Sequence, residues 1–203
     1  MNKAEEFHQK VLKEIETYSH REHKELFDLA DKEHDEYYDE ILGMGIKHKK
    51  ESPYYKYLSC VVKIIKPEIV IEIGGDLGAS TLCMYSELPK NGTIYTCDIR
   101  NCYWWIPEKL ITTAKIRKVI GDSLTVRWPS QLDLSEVKVW LIDGDHDGEH
   151  VRREIYRYRK YWQIGTIVMF DDIRYYKKVF NTPDFDKCSD DKIHGGGFGI
   201  YVI

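Results

Sequence analysis

The sequence predicts an α/β protein built on a doubly wound, mostly parallel sheet, and three observations carry that expectation. From Ile69 onward, short apolar runs rich in Val and Ile alternate with helical stretches, the texture of strands buried on both faces and joined by helices. A glycine-rich turn, "EIGGDLGAST" from Glu72 to Thr81, ends the first run and feeds straight into a helix. Acidic residues then recur where later runs stop, the sheet edge at which such folds place their ligand crevice.

The elements follow in order. Residues 3 to 42 contain no Pro or Gly and set Phe7, Val11, Ile15 and Tyr18 at helical spacing. A second apolar group, Leu26, Phe27, Leu29 and Ala30, predicts that the helix continues or restarts after a turn near Ser19. The segment "GMGIKHKKESP" breaks this pattern. Pro53 opens a further helix, striped by Tyr54, Tyr57, Leu58, Val61, Val62 and Ile65, which Pro67 stops. Strands are expected at 69–73, 93–99, 115–120, 137–142, 166–170 and 198–203, with helices in most of the gaps and right-handed crossovers between them. The link "IRYYKKVFNTPDFDKCSDDKIHGGGFGIYVI" is too short and polar to place another strand, and its "HGGGFG" reads as a tight turn or as a loop near the acceptor. Residues 1–52 form a helical N-terminal extension and 53–203 the sheet-bearing domain.

Composition bounds the function. A chain of 203 residues with 42% apolar and 32% charged residues makes one soluble globular domain. The net charge of −4 resides in residues 1–50, which hold nine Lys/Arg against thirteen Asp/Glu. The neutral remainder has no basic stripe for nucleic acid, although "RREIYRYRKYW" makes a local patch. Five cysteines without CxxC spacing read as reduced core residues, and neither a leader-like apolar N-terminus nor a membrane-length run is present. The expectation is a cytoplasmic protein that binds neither membrane nor nucleic acid.

The glycine turn lacks the dinucleotide fingerprint, because Asp76 and Ala79 occupy two of its glycine positions. It matches E-x-G-x-x-x-G-x-S instead, and so resembles class I S-adenosylmethionine-dependent methyltransferases, particularly the small metal-dependent O-methyltransferases. The likeness spans roughly residues 53 to 203. It implies a Rossmann-like sheet with an antiparallel last strand, and a cofactor cradle made by Glu72, Gly74, Gly75, Gly78 and Ser80, with Ser80 on the methionine carboxylate. It further implies that Asp98 takes the ribose hydroxyls and that Asp122 and Ser123 read the adenine edge. Turn-forming and capping roles compete for each of these side chains.

The stretch "LIDGDHDGEH", residues 141–150, crowds acidic residues and histidines at the end of a strand. Neighbouring strands lie about 4.8 Å apart, so Asp143 and the pair Asp171 and Asp172 can converge on one ion. Three such carboxylates repel unless a proton or cation intervenes, and an all-oxygen set favours Mg2+ or Mn2+. The D-G-D and D-D arrangement resembles the sugar and antibiotic O-methyltransferases, and "DGDH" the group containing cephalosporin-hydroxylase-like proteins. The resemblance implies methyl transfer to a hydroxyl of a small molecule. His146 is the candidate general base and His150 the weaker one. The competing readings make Asp172 a helix cap and His146 a turn residue. The N-terminal helices could cover the site or pair two subunits as a homo-oligomer. A non-catalytic cofactor-binding role in a larger assembly, or metal-free methylation of protein or RNA, would fit the same cradle.

Overall fold

The computed structural model describes residues 1–30, 32, 50–101 and 105–203; Cys102, Trp104 and most of the break after residue 42 lie outside them. Five parallel strands, β1 (Ile69–Ile73), β2 (Thr93–Asp98), β3 (Ile116–Ile120), β4 (Val139–Ile142) and β5 (Ile167–Phe170), are joined by two further strands, β6 (Asp186–Asp190) and β7 (Phe198–Val202). The sheet order is β3-β2-β1-β4-β5-β7-β6, with β7 antiparallel to both of its neighbours. All six expected strands are present, several shortened by one or two residues at an end. The strand that the sequence did not place is β6, an edge strand reading DKCSD with no fully buried residue. Its backbone bonds to β7 rather than an apolar alternation make it a strand, so its side chains carry little signal.

Side-chain alternation divides the core in two. Val70, Ile94, Ile116, Val139, Leu141 and Met169 face one layer, with residues of α1 (Lys3–Ile15), α2 (Pro53–Ile65) and α3 (Ala79–Ser86). Ile71, Tyr95, Trp140, Ile142, Val168 and Phe170 face the other, under α5 (Gly148–Tyr158) and α6 (Ile173–Asn181). A short α4 (Glu108–Thr112) precedes β3. On α5, Val151, Ile155 and Tyr158 are buried as its periodicity predicts. Arg157, within the local basic patch, donates to the carbonyls of Leu124 and Val126.

The N-terminal chain does restart. A capping box of Asn2 and Glu5 opens α1, and Ser19 accepts the Arg21 N–H to begin a 3-10 turn over His20–His23 that leads into helical residues 24–30. Ala4, Val11, Tyr18, Phe27 and Ala30 lie in the same apolar cluster as α2 and the sheet. His8 fixes α1 to the sheet edge, 2.9 Å from the Tyr57 hydroxyl and 3.2 Å from Asp190 on β6. Cys60, Cys83 and Cys97 are buried and unpaired. Among the described residues, no helix is long and apolar enough to cross a membrane.

Candidate functional site

The site is assembled along the carboxyl edge of β1 to β5. Gly74 follows β1 with φ +87°, and a Cβ there would lie 1.9 Å from the Asp143 carbonyl oxygen. Only glycine lets the loop after β1 pass so close to the loop after β4. The turn then enters α3 through Gly78, also left-handed at φ +93°.

Beneath this turn Glu72 is fully buried on β1. Its two oxygens accept the hydroxyls of Ser80, at 2.5 Å, and Thr81 in the first turn of α3. Burial raises the Glu72 pKa, and the two hydroxyl donors oppose that rise. The sequence expectation puts Glu72 and Ser80 on the cofactor; in the structure the Ser80 hydroxyl donates to Glu72 and braces the loop. Gly75 and Ser80 do line the adjoining cavity.

Asp98, 9% exposed at the end of β2, accepts the Asp76 N–H at 2.9 Å and the Arg100 N–H at 2.8 Å. Each carboxylate oxygen keeps a further lone pair for a ligand. Asp122 follows β3 and accepts the Leu124 N–H at 2.8 Å. The Ser123 hydroxyl is given inward to Glu154 at 2.5 Å, with His150 3.3 Å away. The Glu154 carboxylate beside His150 raises its pKa. Asp98, Asp122, Ser123, His150 and Glu154 all line a cavity of about 230 Å3. A second, of about 330 Å3, reaches Tyr55, Trp105, Asp143 and His146. Gly74, Asp98 and Gly144 border both, so the two form one continuous cleft.

At the far end of this cleft the pairing register levels the strand ends, Ile73 with Ile142 and Ile142 with Phe170. Asp143 and Asp171 therefore begin neighbouring loops. The converging set differs from the one expected. Ligand atoms of Asp171, Asp172 and His194 lie within 4.8 Å of one another, and Asp143 is not part of that group. Asp143 is held instead by Tyr54, whose hydroxyl donates to its Oδ2 at 2.8 Å. Burial, and then the nearby Asp171 charge, push the Asp143 pKa well above the usual carboxylate range.

His146 joins the two parts. Its Nδ1 is 3.1 Å from Asp172 Oδ2 and its Nε2 4.0 Å from Asp143 Oδ1, and its ring stacks on Tyr175. The helix-capping role falls to Asp147, which accepts the His150 N–H. Asp172 occupies the N-cap position of α6 in the left-handed region, φ 54°, but its side chain makes no cap hydrogen bond. Its carboxylate turns toward His146 and His194 instead, which removes the capping explanation for the Asp171–Asp172 pair.

Two residues escaped the sequence reading. Tyr54 looked like one more apolar position on α2. His194 lay in the "HGGGFG" turn, whose placement beside the site depends on β7 running back along β5. No local spacing relates either residue to Asp171.

Comparison with known proteins agrees with this architecture. Residues 71–173 match the family model of a methyltransferase domain, and the chain belongs to that family: it is a class I S-adenosylmethionine-dependent methyltransferase. No curated protein matches the sequence. Among solved structures, the O-methyltransferase TomG of Streptomyces achromogenes, bound to S-adenosylmethionine, superposes with a TM-score of 0.61 at 15% identity, over 88% of this chain and 89% of that one. An O-methyltransferase of Bacillus cereus in complex with S-adenosylhomocysteine gives 0.55 at 16% identity, over 83% and 96%. A methyltransferase of Geobacter sulfurreducens gives 0.58 at 13% identity, over 82% and 95%. At these identities the likeness is one of fold.

Proposed function

We propose that the chain is a divalent-metal-dependent O-methyltransferase, carrying the methyl group of S-adenosylmethionine to a hydroxyl of a small molecule. The observation that supports this most directly is the continuous cleft, lined by Asp98 and Asp122 at one end and by Asp143 and His146 at the other, where His146 Nδ1 lies 3.1 Å from Asp172. The two solved O-methyltransferases with bound cofactor or product support the cofactor assignment by fold. The donor chemistry fits a cation: Asp171 is 5% exposed, and its buried Oδ1 has no hydrogen-bond partner. A desolvated carboxylate oxygen without a donor is costly unless positive charge meets it.

Asp171 and Asp172 would hold the ion, with Asp143 beside them. Bound there, a divalent ion lowers the pKa of an acceptor hydroxyl and orients it. S-adenosylmethionine, when bound, would supply a methyl group on its sulfonium for in-line attack by the acceptor oxygen, the C–O bond forming as the C–S bond breaks and the sulfur leaving with the electron pair.

The chain's own residues do the rest. The Gly74 and Gly75 backbone carries the methionine end of the cofactor, Asp98 accepts the ribose hydroxyls, and Asp122 and Ser123 border the adenine. His146 takes the acceptor proton on the ring nitrogen that faces the cleft. It is oriented by Asp172 and braced by Tyr175, and it sits close enough to both carboxylates for the resulting imidazolium to be stabilised. Glu72 acts through the loop it supports.

The test is methyl transfer to a panel of hydroxylated small molecules, with Mg2+ or Mn2+ and with excess chelator, beside calorimetry of S-adenosylhomocysteine binding. Turnover that requires the added ion is expected. Full turnover in chelator would remove the metal from this reading, and tight product binding with no transfer to any acceptor would favour a non-catalytic role.

A further inference from the structure

We propose that His194 is a ligand of the metal site and makes it selective for a transition-metal ion, Mn2+ or Co2+, over Mg2+. This rests on the metal-dependent reading above and adds to it a donor from outside the strands that carry the carboxylates.

The imidazole Nδ1 of His194 lies 2.8 Å from Asp171 Oδ1 and 3.4 Å from Asp172 Oδ1. Ligands of an octahedral ion at about 2.1 Å sit about 3 Å from one another when adjacent, so these separations suit a shared ion. The 2.8 Å contact is an ion-pair distance without the alignment of a good hydrogen bond, and Asp171 beside it raises the His194 pKa. Both Asp171 Oδ1 and His194 Nδ1 are buried atoms lacking an aligned partner, although they face each other. Asp171 is 5% exposed, and with His194 Nδ1 unprotonated the two atoms would present two lone pairs at a separation that suits a shared cation.

The surrounding turn is built for this approach. A Cβ at Gly196 would fall 1.4 Å from Asp172 Oδ1, so only glycine admits the carboxylate there. The turn is fastened to the start of α6 by the Ile173 N–H donating to Gly197 O and the Arg174 N–H to Gly196 O, each at 3.0 Å. The Tyr54 ring lies against the imidazole with centroids 5.1 Å apart. His194 is thus held beside Asp171 and Asp172 by a turn fixed on three sides.

The chemistry then sets selectivity. Carboxylates alone suit Mg2+, which binds oxygen and sheds its water reluctantly. A neutral imidazole is a borderline donor and raises affinity along the order Mn2+, Fe2+, Co2+ more than it does for Mg2+. The competing view is that His194 is an imidazolium that merely neutralises Asp171 and must be displaced when an ion arrives.

Calorimetric titration of Mn2+, Co2+ and Mg2+ into the wild type, His194→Ala and Asp171→Asn decides between them, joined by pulsed EPR of the Mn2+-loaded protein. Wild type should prefer Mn2+ to Mg2+ and show nitrogen hyperfine coupling. His194→Ala should lose that coupling, bind Mn2+ about 10- to 100-fold more weakly, and still bind S-adenosylhomocysteine, which shows that it is folded. Unchanged or tighter Mn2+ binding by His194→Ala would overturn the proposal while leaving the metal reading intact, as would nitrogen coupling that persists in that variant. If wild type binds none of the three ions at millimolar concentration, both fail.

Discussion

The two ends of the cleft handle their polar groups in opposite ways. On the cofactor side most side chains are answered within the chain, Glu72 by Ser80 and Thr81, Asp98 by two backbone N–H groups and Ser123 by Glu154, whose own Oε2 is the exception in having no hydrogen-bond partner. On the acceptor side, Asp143, Asp171, Asp172, His146 and His194 crowd together, and Asp171 Oδ1 and His194 Nδ1 face each other at 2.8 Å without an aligned hydrogen bond. The first end is a rigid cradle that presents backbone and a few fixed acceptors. The second gathers carboxylates and imidazoles whose mutual repulsion, on the reading proposed above, an ion and a substrate would relieve. The difference teaches that preorganisation here is divided: shape on one side, electrostatic demand on the other.

The most disruptive way to break this division is to strike the residue both sides share. Gly74→Ala places a methyl group against the Asp143 carbonyl and strains a φ of +87°. The left-handed penalty and the overpacking together should destabilise the fold by about 2–5 kcal/mol. The denaturant midpoint should fall, and binding of S-adenosylhomocysteine and of Mn2+ should be lost together. Wild-type behaviour at either end would show that the two loops are not as tightly joined as the contact requires.

Acid acts next, through a group distant from the cleft. His20 is fully buried between Tyr18 and Phe27, and burial lowers its pKa to about 4 from the ordinary 6.5. Between those values the unfolded chain holds the proton and the folded chain does not, so stability is lost as pH falls from 6.5 toward 4. The full shift corresponds to about 3 kcal/mol. His20→Asn should flatten the dependence of the urea midpoint on pH within that window. Comparisons between the two ends of the cleft therefore belong above pH 6.5.

This division also explains what could be read from the sequence. The cradle is local: strand, glycine turn and helix follow one another within Glu72 to Thr81, and Asp98 and Asp122 each close a strand with clear apolar patterning. Such features are legible because the same few residues make the structure and the site. What the pattern could not show was which way the hydroxyls turn: Ser80 bonds Glu72 within the same stretch, but only the burial of that acid under α3 makes it the partner, and Ser123 turns to Glu154, 31 residues away on α5. The acceptor side is assembled at long range. Asp143 and Asp171 were readable as strand ends, but the register that levels them, the Tyr54 hydroxyl from α2 and His194 from the turn before β7 are products of tertiary packing. The polar β6 was missed for the same reason.

A sharper comparison comes from paired substitutions that each touch one end. Asp98→Ala removes an acceptor that would bond the ribose and should weaken S-adenosylhomocysteine binding by about 1.5–3 kcal/mol, ten- to a hundred-fold or slightly more. Its Mn2+ affinity should be unaltered. Asp171→Asn should do the reverse, losing the ion while retaining the product. If calorimetry found both ligands weakened by each variant, the cleft would be one coupled unit and the division drawn above would fail.

The smallest expected effect probes the acceptor side alone. Tyr54→Phe deletes only the hydroxyl that donates to Asp143 Oδ2 and leaves the ring against His194 and Phe198. That donor favours the charged carboxylate and opposes the rise caused by burial and by Asp171. Without it the Asp143 pKa rises further, so at a given pH below its titration the carboxyl is more often protonated. The acid limb of Mn2+ binding should move to higher pH, and affinity at neutral pH should fall about five-fold, the worth of about 1 kcal/mol for one hydrogen bond. Binding of S-adenosylhomocysteine should not change, because Asp143 is tied to the glycine turn by its backbone, its N–H donating to Ile73 O and its carbonyl lying beneath Gly74, and the substitution leaves that backbone in place. A loss of product affinity equal to the loss of metal affinity would mean that α2 positions the loop after β4 as a whole, and that Tyr54 shapes both ends of the cleft through one strand.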